Sequence, residues 1–194
     1  FIGLFDPKIY TRIDLGENRN AIYVPEKKVF VVKGQEVPTK QGHLLVLGLD
    51  YEQHIKQNRD LEDAIKEVDD KTSGQAIKIA DHPFFLAGIG PYIQQNPELL
   101  QQLDAIEVHN GEAVFGNANQ KARDFYKQLE LGYTHLGALS SSDGHSFYEL
   151  GKSWTELDFS DINYLDDPEV FIPTLKQAIR ATNLQISRKN HTSY

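Results

Sequence analysis

The sequence has no cysteine, so disulfides and thiolate metal sites are both excluded. It has no methionine either, not even at position 1, and it opens on FIGLF. That opening leads us to expect that an upstream segment is missing. No apolar run approaches the ~18–20 residues of a transmembrane helix, and no signal-peptide pattern is present. A cytoplasmic location is therefore expected, and a membrane is not an expected partner. Positive charge is also scarce. Twenty Lys and Arg stand against 28 Asp and Glu, a net charge of −8. Such a balance disfavours long nucleic acids, whose phosphates need several cationic contacts. Small phosphorylated substrates stay open, because a bound metal reverses the field locally. No GxxxxGK[ST] loop exists for a nucleoside triphosphate. No linker, repeat or low-complexity tract divides the 194 residues, so one domain is expected over 1–194.

What is there alternates between strand and helix. KKVFVVKG (27–34), HLLVLGL (43–49), QAIKIA (75–80), DAIEVHN (104–110) and THLGALS (134–140) read as strands. PTKQG (38–42) carries Pro and Gly and reads as a turn. Leu61, Ala64, Ile65 and Val68 recur with helical spacing over 60–71. NPELLQQL (96–103) starts a helix with Asn96 as cap and Pro97 in the first turn. Ala118, Ala122, Phe125 and Leu129 share one face of a helix over 117–131, and PTLKQAIRATN (173–183) is a last helix. Residues 184–194 form a tail that is either mobile or a late edge strand. Alternation with short loops predicts βαβ units and a parallel sheet, open or closed into a barrel, with ligands at the carboxyl ends of the strands.

Chemistry gathers at those ends. Glu36 follows the first strand, Asp81-His82-Pro83 the third, and Glu107, His109 and Asn110 close the fourth. Asp143-Gly144-His145 follows the fifth, and His43 joins them if the 38–42 turn folds back beside Glu36. Each residue also has a plainer reading. Asp143 can cap a turn, His82 can pack under the helices, Glu36 can be a solvated edge residue and His43 can simply start a strand. Glu107 and His109 alternate onto one face and can be hydrogen-bonded neighbours of the core, while Asn110 beside Gly111 can be a turn residue. His54, His135 and His191 lie away from this edge and are taken as structural. Oxygen and nitrogen donors converging from separate strands suit Zn²⁺, Mn²⁺ or Fe²⁺. A bridging carboxylate can hold two such ions and clamp a phosphoryl transfer.

Four stretches carry a resemblance to a known family. KGQEVPTKQGHLLVLGLD, ADHPF, DAIEVHNGEA and SSDGHSFYELGKSWTEL resemble, in order and spacing, the motifs of the polymerase-and-histidinol-phosphatase (PHP) family of phosphoesterases. The likeness covers about residues 29–157. It implies an α/β fold, a distorted (β/α)7 TIM-like barrel with two or three divalent metal ions at its C-terminal edge. By motif, Glu36, His43, His82, Asp143 and His145 resemble the metal ligands, with Asp143 and His145 as the residues on which catalysis depends. The 107–110 segment resembles a pocket-lining strand, with Glu107, His109 and Asn110 behind the ligands or facing substrate. The family's opening His-x-His and later Asp-His motifs have no counterpart, since no histidine precedes His43 and residues 1–28 match neither. The resemblance therefore implies a barrel incomplete at its N-terminus.

The expected activity is metal-dependent hydrolysis of small phosphomonoesters, nucleotides or short oligonucleotides. Two rivals stand beside it: a degenerate domain with a structural or partner-binding role, and an amidohydrolase-like enzyme that uses similar ligands on another bond.

Overall fold

The computed structural model describes residues 10–129, 131–158, 164–184 and 187–189. Part of the N-terminal stretch without family motifs is ordered into a small antiparallel sheet. Ile13–Leu15 (β1), Ala21–Val24 (β2) and Val29–Val32 (β3) pair in that order. A second sheet has five strands, also in chain order: Gly34–Pro38 (β4), His43–Leu47 (β5), Ile77–Ala80 (β6), Ala105–Asn110 (β7) and Gly137–Ser141 (β8). The helices are Leu61–Thr72 (α1), Gly90–Gln95 (α2), Ala118–Leu129 (α3) and Phe171–Arg180 (α4). In the tail, Ser187–Lys189 (β10) pairs antiparallel with Ser153–Thr155 (β9). The rest of 185–194, His191 included, lies outside the described residues.

The (β/α)7 barrel expectation is corrected here. Among the described residues no sheet closes: β4 and β8 are the two edges of an open sheet. β5 alone runs against the other four: β4 pairs antiparallel with β5 and β5 antiparallel with β6, while β6, β7 and β8 pair parallel. For the β4–β5 pair the reason is connection length. Thr39–Gly42 is a tight turn, closed by Thr39 N–H to Gly42 O at 2.8 Å. A parallel crossover takes a dozen residues or more, so a connection this short makes a hairpin. Barrel closure would also need a stagger shared by every strand pair, which a hairpin at one edge does not supply.

The alternation along β5 shows how the sheet is covered. Leu44 and Val46 are fully buried on one face, packed with Leu61, Ala64, Ile65 and Val68 of α1 and with Ile106 and Val108 of β7. Leu45 and Leu47 point to the other face. There they meet a second core made by Ile77, Ile79 and Ala105 with Phe171, Ile172, Leu175 and Ile179 of α4 and Leu15 of β1. The central strand β6 is buried on both sides, which is why IKIA carries no exposed position. Gly137 lies so close to α4 that a Cβ there would overlap the Ile179 carbonyl. No helix among the described residues is long and apolar enough to cross a membrane.

Two helix expectations change. Residues 97–102 form a 3-10 helix preceded by α2, and Asn96 makes no side-chain cap. Its Nδ2 instead donates back to Tyr92 O at 3.0 Å, closing the end of α2.

Candidate metal centre

The site follows from strand register. Leu45 pairs with Ile79, and Ile79 with Ala105, so these three share one face of the sheet. Two residues further toward the common edge, the same face carries His43, Asp81 and Glu107. The row that is apolar at its centre thus becomes ionisable at its rim. Glu36 pairs with Leu45 from β4 and reaches the same rim. Antiparallel pairing places the start of β5 beside the ends of β4 and β6. The residues therefore meet at one edge, although β5 runs against the other four strands.

Glu36, His43, Asp81 and His82 each offer one ligand atom, and these atoms all lie within 4.8 Å of one another. His82 Nε2 is 3.3 Å from Glu36 Oε1 and 3.4 Å from Asp81 Oδ2. His43 Nδ1 abuts Glu36 Oε1 without the geometry of a hydrogen bond. The His43 and His82 rings are 5.3 Å apart, centre to centre. Asp81 and His82 are buried, whereas Glu36 is 40% exposed, so the group opens to solvent on the β4 side. His43 Nδ1, Asp81 Oδ1 and His82 Nδ1 are buried without hydrogen-bond partners. Orphaned buried polar atoms are costly, and all three belong to members of a group of two imidazoles and two carboxylates. That donor set fits a divalent cation.

The backbone is strained to build the group. His82 has φ +29° and Asp143 has φ +49°, a region side chains with a Cβ seldom occupy. At His82 the turn out of β6 brings the ring beside Asp81, where continued strand geometry would send it to the opposite face. The His82 N–H donates to Glu107 Oε2 at 2.6 Å, which holds this turn.

Glu107 and Asn110 stand behind the group. The β7–β8 register shifts between Glu107 and His109. Glu107 contacts Asn110, whose Nδ2 donates to Glu107 Oε2 at 3.0 Å. Asn110 Nδ2 also donates to Asp143 Oδ2 at 2.9 Å, and Ser141 Oγ donates to Glu107. Asp143 is thus tethered beside the group of four and not within it. His145 is exposed, its Nδ1 2.8 Å from the Asp143 carbonyl. His109 is half-buried on β7. His135 Nε2 meets Leu100 O at 3.2 Å. Asp81 was noted at its strand end but not counted as a ligand. The parity Ile77, Ile79, Asp81 is the signal that finds it.

Burial, reinforced by the Glu36 and Asp143 charges, pushes Asp81 up to about 8. Burial pushes Glu107 up to about 7 against the hydrogen bonds from Ser141, Asn110 and the His82 N–H. Both values lie above those of unfolded carboxylates. The stability tied to the protonated forms is complete below about pH 4 and is lost as pH rises through about 7 to 8. Urea melts in chelator should show Asp81→Asn gaining on wild type as pH rises from about 5 to about 8. A constant offset across that range would contradict the buried-carboxylate account.

No family model matches the chain, and no curated protein or solved structure matches it.

Proposed function

We propose that the chain is a metal-dependent hydrolase of phosphoesters, with Glu36, His43, Asp81 and His82 holding the metal. The observation that carries this reading is the convergence of those four ligand atoms within 4.8 Å at an open strand edge. Its two imidazoles and two carboxylates suit Zn²⁺, Mn²⁺ or Fe²⁺. When bound, such an ion activates water and neutralises phosphoryl oxygens. The motif likeness to the PHP family supplies the choice of a phosphoester over another bond, since the contexts Asp-His-Pro and Asp-Gly-His fit that pattern.

The chain's own groups can move the protons. In hydrolysis a water oxygen bonds to phosphorus as the ester P–O bond breaks. Above about pH 8, where its carboxyl is ionised, Asp81 Oδ1, which has no hydrogen-bond partner, can take the proton from water. The leaving oxygen needs a proton in turn. His145 Nδ1 faces a carbonyl and so carries hydrogen, and the Asp143 carbonyl and carboxylate raise its pKa. Protonated His145 can therefore give its Nε2 proton to the departing alcohol. Both groups reset by exchange with solvent, and the products are alcohol and inorganic phosphate.

The test is turnover of a phosphomonoester panel by protein loaded with Zn²⁺ or Mn²⁺. Asp81→Asn and His145→Ala are the variants, with folding checked by circular dichroism. Loss of one general acid or base is expected to cost ~10²–10⁴-fold in rate. Turnover of lactones or amides with none of phosphoesters would replace this reading by the amidohydrolase-like one. A second reading, an ion held for structure alone, is favoured by one observation: His145 is hydrogen-bonded back to its own loop. Metal-dependent thermal stability without turnover of any ester would decide for it.

A further inference from the structure

The most exposed apolar side chains are concentrated at one edge of the molecule. Leu86, Val114, Phe115, Phe147, Tyr148 and Leu150 are each at least 64% exposed, and Leu131 is the one other described residue this exposed among the large apolar ones. Leu86 is on the loop after β6, Val114 and Phe115 follow β7, and Phe147, Tyr148 and Leu150 follow β8. These are the three loops that leave the metal edge. Exposed apolar groups collected around a polar cluster mark a binding surface.

The loops are tied to the site and to each other. His43 N–H donates to Ala87 O at 2.7 Å, which joins the Leu86 loop to a ligand. Gly111 lies against the Ser142 backbone, and a Cβ there would come within 2.7 Å of Ser142 O. Lys152 pairs with Glu112 at 3.8 Å across the same two loops. Phe147 and Tyr148 meet edge to face, ring centres 6.0 Å apart.

Positive charge is what these loops lack. Residues 81–89, 111–117 and 142–152 contain no arginine and one lysine, Lys152, which is engaged with Glu112. The hairpin turn adds Lys40, which pairs with Asp60 at 3.0 Å. A polyphosphate or oligonucleotide would find few cations to hold its further phosphates. An apolar or aromatic group would find two phenylalanines, a tyrosine and three aliphatic side chains.

We infer that the site takes a single phosphoryl group carried on a neutral, apolar or aromatic alcohol, which the rim of Phe115, Phe147 and Tyr148 holds. This rests on the phosphoesterase reading above and narrows its substrate class.

The test separates the two. Metal-loaded protein is titrated calorimetrically with benzylphosphonate and with methylphosphonate. The expected result is at least roughly tenfold tighter binding of the benzyl compound. That preference should fall to near unity in the Phe115→Ala/Phe147→Ala double variant. It should persist in Leu131→Ala, an equally exposed apolar residue outside the three loops. Equal binding of the two phosphonates, or a preference untouched by the double variant, overturns the inference. So does a wild-type dimer that the double variant dissociates in sedimentation, since the rim would then be an interface between copies. Hydrolysis of benzyl phosphate is measured beside it. A benzyl preference without turnover would sink the phosphoesterase reading and leave the ligand class standing.

Discussion

His82→Ala and Glu36→Gln are each expected to weaken Zn²⁺ or Mn²⁺ binding by roughly a hundredfold or more, since loss of a mere outer partner already costs ~10–100-fold. His82 Nε2 lies within 3.4 Å of both Glu36 and Asp81, so its loss removes the member that touches both carboxylates. Glu36 is the one residue of the four that contacts both imidazoles. Glutamine keeps its shape but removes the charge a cation needs. The fold should survive either change, because the bond that holds the β6 turn comes from the His82 backbone N–H to Glu107. Asp143→Asn and His145→Ala should cost less, about tenfold or under, because they stand beside the group of four. The measurement is competition against a chromophoric chelator. Equal losses in Asp143→Asn and His82→Ala would enlarge the centre to include Asp143. Wild type that takes up no metal would remove the centre altogether.

Asp104→Ala is expected to destabilise the fold by about 3 kcal/mol, at the lower end of the ~3–5 kcal/mol seen when one partner of a buried ion pair is removed. Asp104 is fully buried between the sheet and α4. Its Oδ1 accepts from Arg180 Nε at 2.7 Å and Nη2 at 2.6 Å, and Lys176 Nζ lies 3.4 Å away. Its Oδ2 accepts the Lys78 backbone N–H at 2.8 Å. Alanine would leave that N–H unpaired and Lys176 without its anion. Arg180 is 41% exposed and can turn to water, which sets the figure at the lower end. Such a loss would lower the melting temperature by ~6–12 °C in a chain of this size. Asp104→Asn, which keeps an acceptor, should cost less. Asp104 precedes β7, at the end away from Glu107, so metal affinity should not change. A melting temperature within a degree of wild type would show that the α4 clamp contributes little.

Asp104 and Asp81 also show what a single sequence reveals. The helix over 60–71 was legible because Leu61, Ala64, Ile65 and Val68 repeat with helical period, and all four are buried on α1. HLLVLGL, QAIKIA and DAIEVHN were legible as strands too, and each contains a strand of the five-stranded sheet. Asp104 was read only as the first residue of a strand. Nothing local announces that Arg180, 76 residues on, will reach it. Asp81 was within reach of parity reasoning, but the histidine next to it drew the assignment.

The sequence alone determined that an α/β chain would bring carboxylates and imidazoles to strand ends. Local spacing and the hydrophobic period encode that much. Tertiary structure alone decided strand direction, and with it an open mixed sheet where a barrel was expected. Pairing partners, and the antiparallel β5–β6 pair with them, are chosen by long-range burial. Structure alone also decided which donors meet. Whether Asp81 joins the group and Asp143 stays outside depends on a positive φ at His82, a register shift in β7 and the Asn110 tether. Each of these is set by neighbours distant in the chain, so no local pattern displays it.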